Sequence, residues 1–410
     1  MGQLTTMEKL EILSDAAKYD ASCASSSTTR RDSRDGRGLG STTGSGICHS
    51  YAPDGRCISL LKILLTNFCS FDCVFCINRS SSNVRRARFS VEEVVKLTLS
   101  FYRRNYIEGL FLSSGIIRSP DYTMAELVRV AETLRLQNDF RGYIHLKLIP
   151  GASQELIERA GRFADRVSVN VELPSETGLA RFAPEKSAVA IRSAMGGLKL
   201  KIEEAAEERE ASAKAPAFAP AGQSTQMIVG ADGASDGTIL RRSALLYGSF
   251  GLKRVYYSAF SPIPDASRQL PLIAPPLMRE HRLYQADWLT RFYGFEAEEI
   301  IAQGEMLDLD IDPKLAWALK HRARFPVDVN RADREALLRV PGLGTRSVDR
   351  ILTSRRFRRL RLEDVGRLTR SLATIRHFIA AEGWSPGGSL DHERLRERLS
   401  PRPQQLSLFA

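Results

Sequence analysis

Cys69-Ser70-Phe71-Asp72-Cys73-Val74-Phe75-Cys76 is the stretch from which the rest of the chain is read. It has the spacing C-x3-C-x2-C. Three thiolates this close in sequence can each take one iron of a cubane iron–sulfur cluster, which normally has four cysteine ligands. The local motif has no fourth cysteine, so one iron is left open to a substrate or cofactor. Two plainer readings of the same residues are a structural zinc knuckle and three buried free thiols. Zinc sites usually combine two C-x2-C-like halves, or cysteines with histidines, and no second half follows here.

Outward from the motif, strand-like and helix-like stretches alternate. Ile58–Thr66 is a mostly apolar run of strand length that ends three residues before Cys69. A buried strand feeding a ligand loop at its C-terminal end is where barrels and open α/β sheets place their sites. Further strands are read at Gly109–Ser113, Tyr143–Leu148, Val167–Val171, Gln226–Gly230 and Arg254–Ser258. Helices are read at Val91–Arg104, with Ser90 and Glu93 as a capping box, and at Thr123–Leu136 and Gln154–Phe163. Such alternation predicts parallel strands with crossover helices. Periodicity alone does not separate a barrel from an open sheet. A charged, Ala-rich helix over Lys199–Lys214 and a Pro/Ala linker over Ala215–Gly222 are read as an insertion around residues 199–222 that could cover the barrel mouth. Pro262–Pro276 holds five prolines and reads as a loop. Glu280–Phe292 is helical in period, with Leu283, Trp288 and Phe292 as expected core residues.

Before the motif, Met7–Lys18 reads as a short amphipathic helix and Ala21–Gly46 as a Ser/Thr/Gly/Arg-rich loop. The 410 residues suggest two or three domains, and 43% hydrophobic residues suit a globular core. No signal peptide is read in Met1–Lys18, and no run approaches the ~20 apolar residues of a membrane span. The expectation is a cytoplasmic protein in a reducing compartment, where clustered cysteines bind metal or do chemistry rather than form disulfides. Cys23, Cys48 and Cys57 are irregularly spaced and read as buried free thiols, with a second metal site as the alternative.

The formal net charge is +11. From Arg322 to Arg402 there are 19 arginines, no lysine and 10 acidic residues, so most of the excess lies in the last fifth of the chain. Arginine without lysine suits bidentate contact with phosphate; an arginine-favouring genome is the bland alternative. Within this stretch Asn330–Val340 reads as a capped helix, Pro341-Gly342-Leu343-Gly344-Thr345 as a break, and Arg346–Arg355 as a second helix with Val348, Ile351 and Leu352 inward. Glycines let such a hairpin approach a phosphate closely, and the free N–H groups of the second helix then meet the anion. Arg346 and Arg350 add charge. Contacts of this kind fix position on a duplex without reading bases. The segment resembles the helix-hairpin-helix motif of DNA repair and recombination proteins. Ser385–Pro403 reads as a flexible tether. It ends in Gln405-Leu406-Ser407-Leu408-Phe409, which resembles the peptide that bacterial replication and repair proteins insert into the sliding clamp.

The cysteine spacing, with Phe75 before the last cysteine, resembles the signature of the radical S-adenosylmethionine (radical SAM) superfamily. The resemblance implies a partial (β/α)6 TIM-like barrel followed by a small all-α helix-hairpin-helix domain. It also implies a 4Fe–4S cluster on Cys69, Cys73 and Cys76. The methionine part of S-adenosylmethionine would chelate the open iron, and the reduced cluster would cleave the cofactor to a 5′-deoxyadenosyl radical. The cofactor's amine would lie at the end of the second strand. There Ser113-Ser114-Gly115 departs from the superfamily's Gly-Gly-Glu-like segment and lacks its acidic residue. Asn170 and Glu172 end the fourth strand and Ser224, Thr225 and Gln226 open the fifth, as candidates for the ribose or as ordinary strand-end polar groups. Lys147 and Arg118 are candidates for a phosphate or the cofactor carboxylate. Tyr256, Tyr257 and Cys57 are conceivable hydrogen relays, and no catalytic side chain is assigned.

Over nearly the whole chain, including Ala17–Cys23 and Cys48-His49-Ser50-Tyr51, the sequence resembles the DNA modification/repair radical SAM proteins. The implied function is radical C–H abstraction on DNA, near the nucleoid, with duplex phosphates, an electron donor such as flavodoxin or ferredoxin, and the sliding clamp as partners. Two rivals are an RNA- or tRNA-modifying radical enzyme and a non-enzymatic DNA-binding iron–sulfur protein. The expected domains are residues 1–50 (helix and loop), 51–300 (radical SAM core), 301–325 (linker), 326–385 (helix-hairpin-helix) and 386–410 (flexible tail).

Overall fold

The computed structural model of the chain describes residues 4–17, 47–51, 57–264, 266–390 and 392–400. Cys23, the 21–46 loop and the Gln405–Phe409 peptide lie outside the described residues. The chain forms two compact units, Met1–Ala234 with Leu245–Pro275, and Ser235–Ala244 with Pro276–Ala410.

The first unit opens with helix α1 (Thr6–Ala17) and strands β1 (Ile47–Tyr51) and β2 (Cys57–Leu64). It continues α2 (Val91–Arg103), β3 (Gly109–Ser113), α3 (Pro120–Glu132), β4 (Tyr143–Lys147), α4 (Gln154–Phe163), β5 (Arg166–Ser168), α5 (Glu176–Phe182), α6 (Ala188–Ala211), β6 (Gln223–Val229), α7 (Asp236–Phe250, whose start belongs to the second unit) and β7 (Arg254–Ala259). The seven strands form one sheet in the order β1 to β7. β1 pairs antiparallel with β2, and every later pair is parallel. A doubly wound sheet reverses its strand order at a switch point. Here β2 to β7 follow chain order without reversal, which is the winding of a TIM-like half-barrel. Strand order thus settles what periodicity left open.

The strands are apolar runs because both faces of a parallel sheet are covered. Leu60, Leu61, Ile63, Leu110, Leu112, Ile144, Leu146 and Val167 have no exposed surface. Each crossover helix buries one stripe, as α3 does with Met124, Leu127, Val128 and Ala131. Ser90 accepts from the Glu93 amide and Glu93 closes the capping box at the start of α2, which removes two of the orphan donors of that helix end.

Several expectations change. β1 was not foreseen; it is an antiparallel edge strand that follows the long polar stretch. Lys199–Lys214 is not a separate helix in an insertion. Residues 199–211 are the exposed second half of α6, whose first half buries Ile191, Ala194, Met195 and Leu198 as the β5–β6 crossover. The apolar stripe runs out where the charges begin, so periodicity registered only the charged half. α3 starts at Pro120, capped by Ser119, because proline fits the first helical turn.

The second unit holds α8 (Leu277–Phe292), α9 (Ala297–Ile300), α10 (Pro313–Lys320), strand β8 (Val327–Asp328), α11 (Arg334–Arg339), α12 (Thr345–Ser354), α13 (Leu362–Leu368), α14 (Leu372–Ile375), strand β9 (Ile379–Ala380) and α15 (Leu395–Leu399). It is not all-α, because β8 and β9 form a short parallel pair. Residues 301–325 are not a bare linker. They hold α10, with Asp312 capping, Pro313 at its first position and Trp317 1% exposed. Residues 386–390 and 392–400 also pack, with Leu390 and Leu395 buried and Arg396 paired to Asp308 at 2.6 Å. Of the expected α8 core residues only Leu283 is buried; Trp288 and Phe292 are exposed and lie against each other, with ring centroids 4.3 Å apart and planes tilted by 44°. α11 begins only at Arg334, with Asp333 as its cap. Leu352 is half-buried, whereas Val348 and Ile351 are buried. Among the described residues no helix is long and apolar enough to cross a membrane.

Candidate cluster and cofactor site

β2 delivers the cysteine loop. Past Leu64 the chain stays buried through Leu65, Thr66 and Asn67. Thr66 Oγ1 donates to the Ala87 carbonyl, and the Asn67 side chain bonds the Ala87 amide and the Arg85 carbonyl. The loop then folds on itself. The Asp72 carboxylate accepts from Ser80 Oγ, Ser81 N and Ser81 Oγ. The amide and hydroxyl of Ser81 hold that carboxyl below its ordinary value. Arg86 closes the loop from beneath. Its guanidinium donates to the carbonyls of Asn67, Asn78 (2.9 Å), Arg79 (2.7 Å) and Ser82 (2.9 Å). Charged donors on four loop carbonyls fix a backbone that has no ladder of its own.

The end of β3 lies against the same loop. Ser70 N donates to the Ile116 carbonyl at 2.7 Å, Gly115 N to Thr66 O at 2.8 Å, and Ile116 N to Cys69 Sγ at 3.4 Å. A Cβ on Gly115 would stand 2.3 Å from the Phe68 carbonyl oxygen. Glycine is required there by this approach.

These segments wall a cavity of about 290 Å³, near the lower end for ligand sites. Cys69, Cys73 and Cys76 line one side with Phe75; Ser114, Gly115, Lys147, Asn170, Glu172, Lys186 and Gln226 line the rest. Burial pushes the Cys73 thiol up to about 12 and Cys76 to about 11, so iron must displace protons on binding. Among the described residues no three His, Cys, Asp or Glu side chains gather as around one metal ion. A cubane gives each thiolate its own iron, so its three ligands need not close on a single metal ion. Among the described residues no fourth cysteine lines the cavity. Cys57 is exposed rather than buried, because it starts β2 at the sheet's end, roughly 20 Å or more from the far end of that strand at ~3.3 Å per residue; Cys48 is buried and packs with Ile58, Leu60 and Phe111.

Residues 63–201 match the Radical SAM superfamily. This is a radical SAM domain. Members of that superfamily are enzymes that use a 4Fe–4S cluster and S-adenosylmethionine. Among solved structures it is similar to the FeFe-hydrogenase maturase HydG from Carboxydothermus hydrogenoformans, at 15% identity over 55% of this chain and 49% of that one, with a TM-score of 0.40. It is also similar to Streptococcus suis SuiB, at 9% identity over 55% and 45%, with a TM-score of 0.40. The chain thus spans about half the length of these structures. No curated protein matches it.

Within the radical SAM domain the cavity's polar side is organised by Glu172. Its backbone lies in the left-handed region at φ 62°, a conformation that costs a side-chain-bearing residue on the order of 1–3 kcal/mol. The Glu172 carboxylate accepts from Lys186 Nζ at 2.5 Å and from Asn170 Nδ2 at 3.4 Å, and Asn170 also reaches Gln226 Oε1 at 3.4 Å. Burial opposes the Lys186 charge, but Glu172, Cys73 and Cys76 outweigh it and hold the ammonium above its ordinary value.

Of the residues expected from sequence, Phe75, Ser114, Gly115, Lys147, Asn170, Glu172 and Gln226 line the cavity with the three cysteines. Ser113 is buried in β3, its carbonyl accepting from Leu65 N. Thr225 accepts from Val171 N inside the sheet, and Ser224 is fully buried. Arg118 stacks over Tyr122 at 4.5 Å and is not part of the lining. Neither Tyr256, Tyr257 nor Cys57 lines the cavity. Lys186 was missed. It sits just before Ser187, the N-cap of α6, where a lysine in sequence looks like a solvated loop charge.

In the second unit Gly342 has φ 83°, and Gly344 caps α12 without a side-chain bond. Pro341 and Leu343 are buried, so of the turn only backbone and Thr345 face outward; Arg346 and Arg350 are exposed. Beneath the turn, Lys314 Nζ donates to the Leu343 carbonyl at 2.5 Å and lies 4.7 Å from the Tyr293 ring centre.

Proposed function

We propose that this chain is a radical SAM enzyme that acts on DNA, in modification or repair. The observation that carries the DNA part is the hairpin turn. The first N–H groups of a helix have no intrahelical partner, and a glycine cap at α12 supplies no side chain to take them. Exposed Arg346 and Arg350 stand on the same helix, and an anion fits such an end. The turn and its arginines would grip the phosphate backbone, while Pro341 and Leu343 anchor it from inside.

Cys69, Cys73 and Cys76 would hold the cluster. With S-adenosylmethionine bound and one electron delivered, that group supplies a 5′-deoxyadenosyl radical able to take a hydrogen atom from a C–H bond. The chain's own residues position and shield. The Ser114 hydroxyl and the carbonyls beside Gly115 would accept from the cofactor's amine. Asn170, Glu172 and Gln226 offer acceptors and amide donors suited to ribose hydroxyls. Lys147 lines the same cavity and would face a carboxylate or phosphate. Phe75 packs against the cluster of Leu173, Phe182, Phe260 and Leu270 and keeps that wall dry. A flavodoxin or ferredoxin would deliver the electron. Gln405–Phe409 would dock the chain on the sliding clamp near the nucleoid.

The test is anaerobic incubation with reductant and S-adenosylmethionine, with and without duplex DNA. The expected result is 5′-deoxyadenosine in both, raised by DNA. Arg346→Glu with Arg350→Glu should weaken duplex binding and flatten its salt dependence by roughly two counterions. A doubly reversed variant that binds duplex as well as the parent overturns the DNA assignment while leaving the enzyme class intact.

A further inference from the structure

The turn that follows α12 carries an aromatic ring in an unusual setting. Arg355-Arg356-Phe357-Arg358-Arg359-Leu360-Arg361 holds five arginines and no acidic residue. Phe357 is 85% exposed, and Arg356, Arg358, Arg359 and Arg361 are exposed around it. A lone exposed apolar side chain is ordinary. This one is held out by a braced loop. Before it, Arg355 Nη1 donates to the carbonyls of Val329 (3.1 Å) and Ala332 (2.6 Å), and the Phe357 amide bonds Ser354 O. After it, Leu360 is 2% exposed and its amide and carbonyl are both taken by the Asn330 side chain. Arg358 is tied to Asp364 at 2.6 Å. The ring therefore cannot fold into the core without breaking both anchors.

We propose that Phe357 is a stacking platform for an unpaired nucleobase, with the surrounding guanidinium groups holding the flanking phosphates. A ring face inside a field of positive charge fits a polyanion that carries flat apolar faces, and single-stranded nucleic acid is that polymer. Bases within a duplex are already stacked and cannot cover the ring. α12 is ten residues long, about 15 Å, so one DNA can reach the hairpin at its start and the ring at its end. The inference rests on the DNA assignment and deepens it: the preferred substrate has an opened or single-stranded stretch.

The experiment uses the full chain and three fluorescein-labelled probes at fixed salt: a duplex, the same duplex with a central three-nucleotide bubble, and the single strand. Vesicles of phosphatidylcholine with phosphatidylserine test an anionic membrane instead. The parent should bind the bubble about tenfold more tightly than the duplex. Phe357→Ala should erase that preference and leave duplex binding within about twofold, whereas Phe357→Trp keeps it. Arg356→Gln with Arg359→Gln should weaken every DNA form and reduce the salt slope. Equal binding of bubble and duplex by the parent, or a preference that survives Phe357→Ala, overturns this inference alone. Vesicle binding lost in Phe357→Ala with DNA binding unchanged also overturns it. Failure to bind any of the three DNAs removes it together with the DNA assignment.

Discussion

The cavity and the hairpin turn each contain a lysine drawn away from water, and the two meet opposite partners. Lys186 faces the Glu172 carboxylate and is held above its ordinary value. Lys314 meets a backbone carbonyl and a tyrosine ring, and burial pulls it down to about 7; Asp312 favours its charge and Arg339 opposes it. A full countercharge keeps a buried ammonium ionised at every ordinary pH, whereas a dipole and a ring leave it titrating near neutrality. The cavity is built to keep its charges fixed, and the support beneath the hairpin is not.

That contrast breaks most completely if the cavity holds no cluster. Cys73→Ala should lose iron, sulfide and 5′-deoxyadenosine formation together, read by elemental analysis and chromatography; a brown, active variant would remove the ligand assignment. Next, Lys186→Met leaves Glu172 without its cation. Stability should fall by about 2 kcal/mol, less than for a fully enclosed pair because both partners keep some exposure. Urea melts of Lys186→Met, Glu172→Gln and the double variant measure the coupling, and a double variant no better than the sum of the singles denies the pairing. Arg86→Lys keeps the charge and loses the fork that serves four carbonyls. Iron should pass to a chelator about tenfold faster, while Arg85→Lys, on an exposed neighbour, behaves as the parent; equal rates for both show that the loop holds without the clamp.

A pH dependence sharpens the contrast. The folded value of Lys314 lies below the unfolded one, so between about 7 and the ordinary lysine range the unfolded chain binds more protons and stability rises with pH. Below about 7 both states are protonated and the burial penalty is fully present. The slope should approach 1.4 kcal/mol per pH unit at most, read by hydrogen exchange of α12 amides between pH 6.5 and 9. Lys314→Met should flatten it. Lys186, raised rather than lowered, should give no slope in that window, and a slope that survives Lys314→Met assigns the titration elsewhere.

The sheet was legible because parallel strands buried on both faces leave apolar runs, and Gly109–Ser113 and Gln154–Phe163 fall on the read boundaries. β1 was not, since a short edge strand after a polar stretch has no such run. The cysteines announced themselves by spacing, and Asn170 and Glu172 by their place after a strand. Lys186 and Arg86 did not. Their roles arise from carboxylates and carbonyls distant in sequence, and an isolated basic residue in a loop carries no trace of them. The same holds for α10 and α15, whose burial depends on neighbours that composition does not name. The hairpin's glycines were visible, but the inward turn of Pro341 and Leu343 was not, because a turn motif does not say which of its side chains the surrounding helices cover.

β1 has a consequence for how this molecule meets copies of itself. By folding back on β2 it occupies the outer rim of the strand that delivers the cysteines, so β2 is hydrogen-bonded on both sides by its own chain. Among the described residues the sheet's other margin, β7, has a single strand neighbour. Unpaired margins are where sheets recruit foreign strands. Intermolecular sheet growth in a stressed preparation is therefore expected to start at β1 or β7, the two margins, with the cysteine-bearing end of β2 among the last parts of the fold to be drawn into an aggregate.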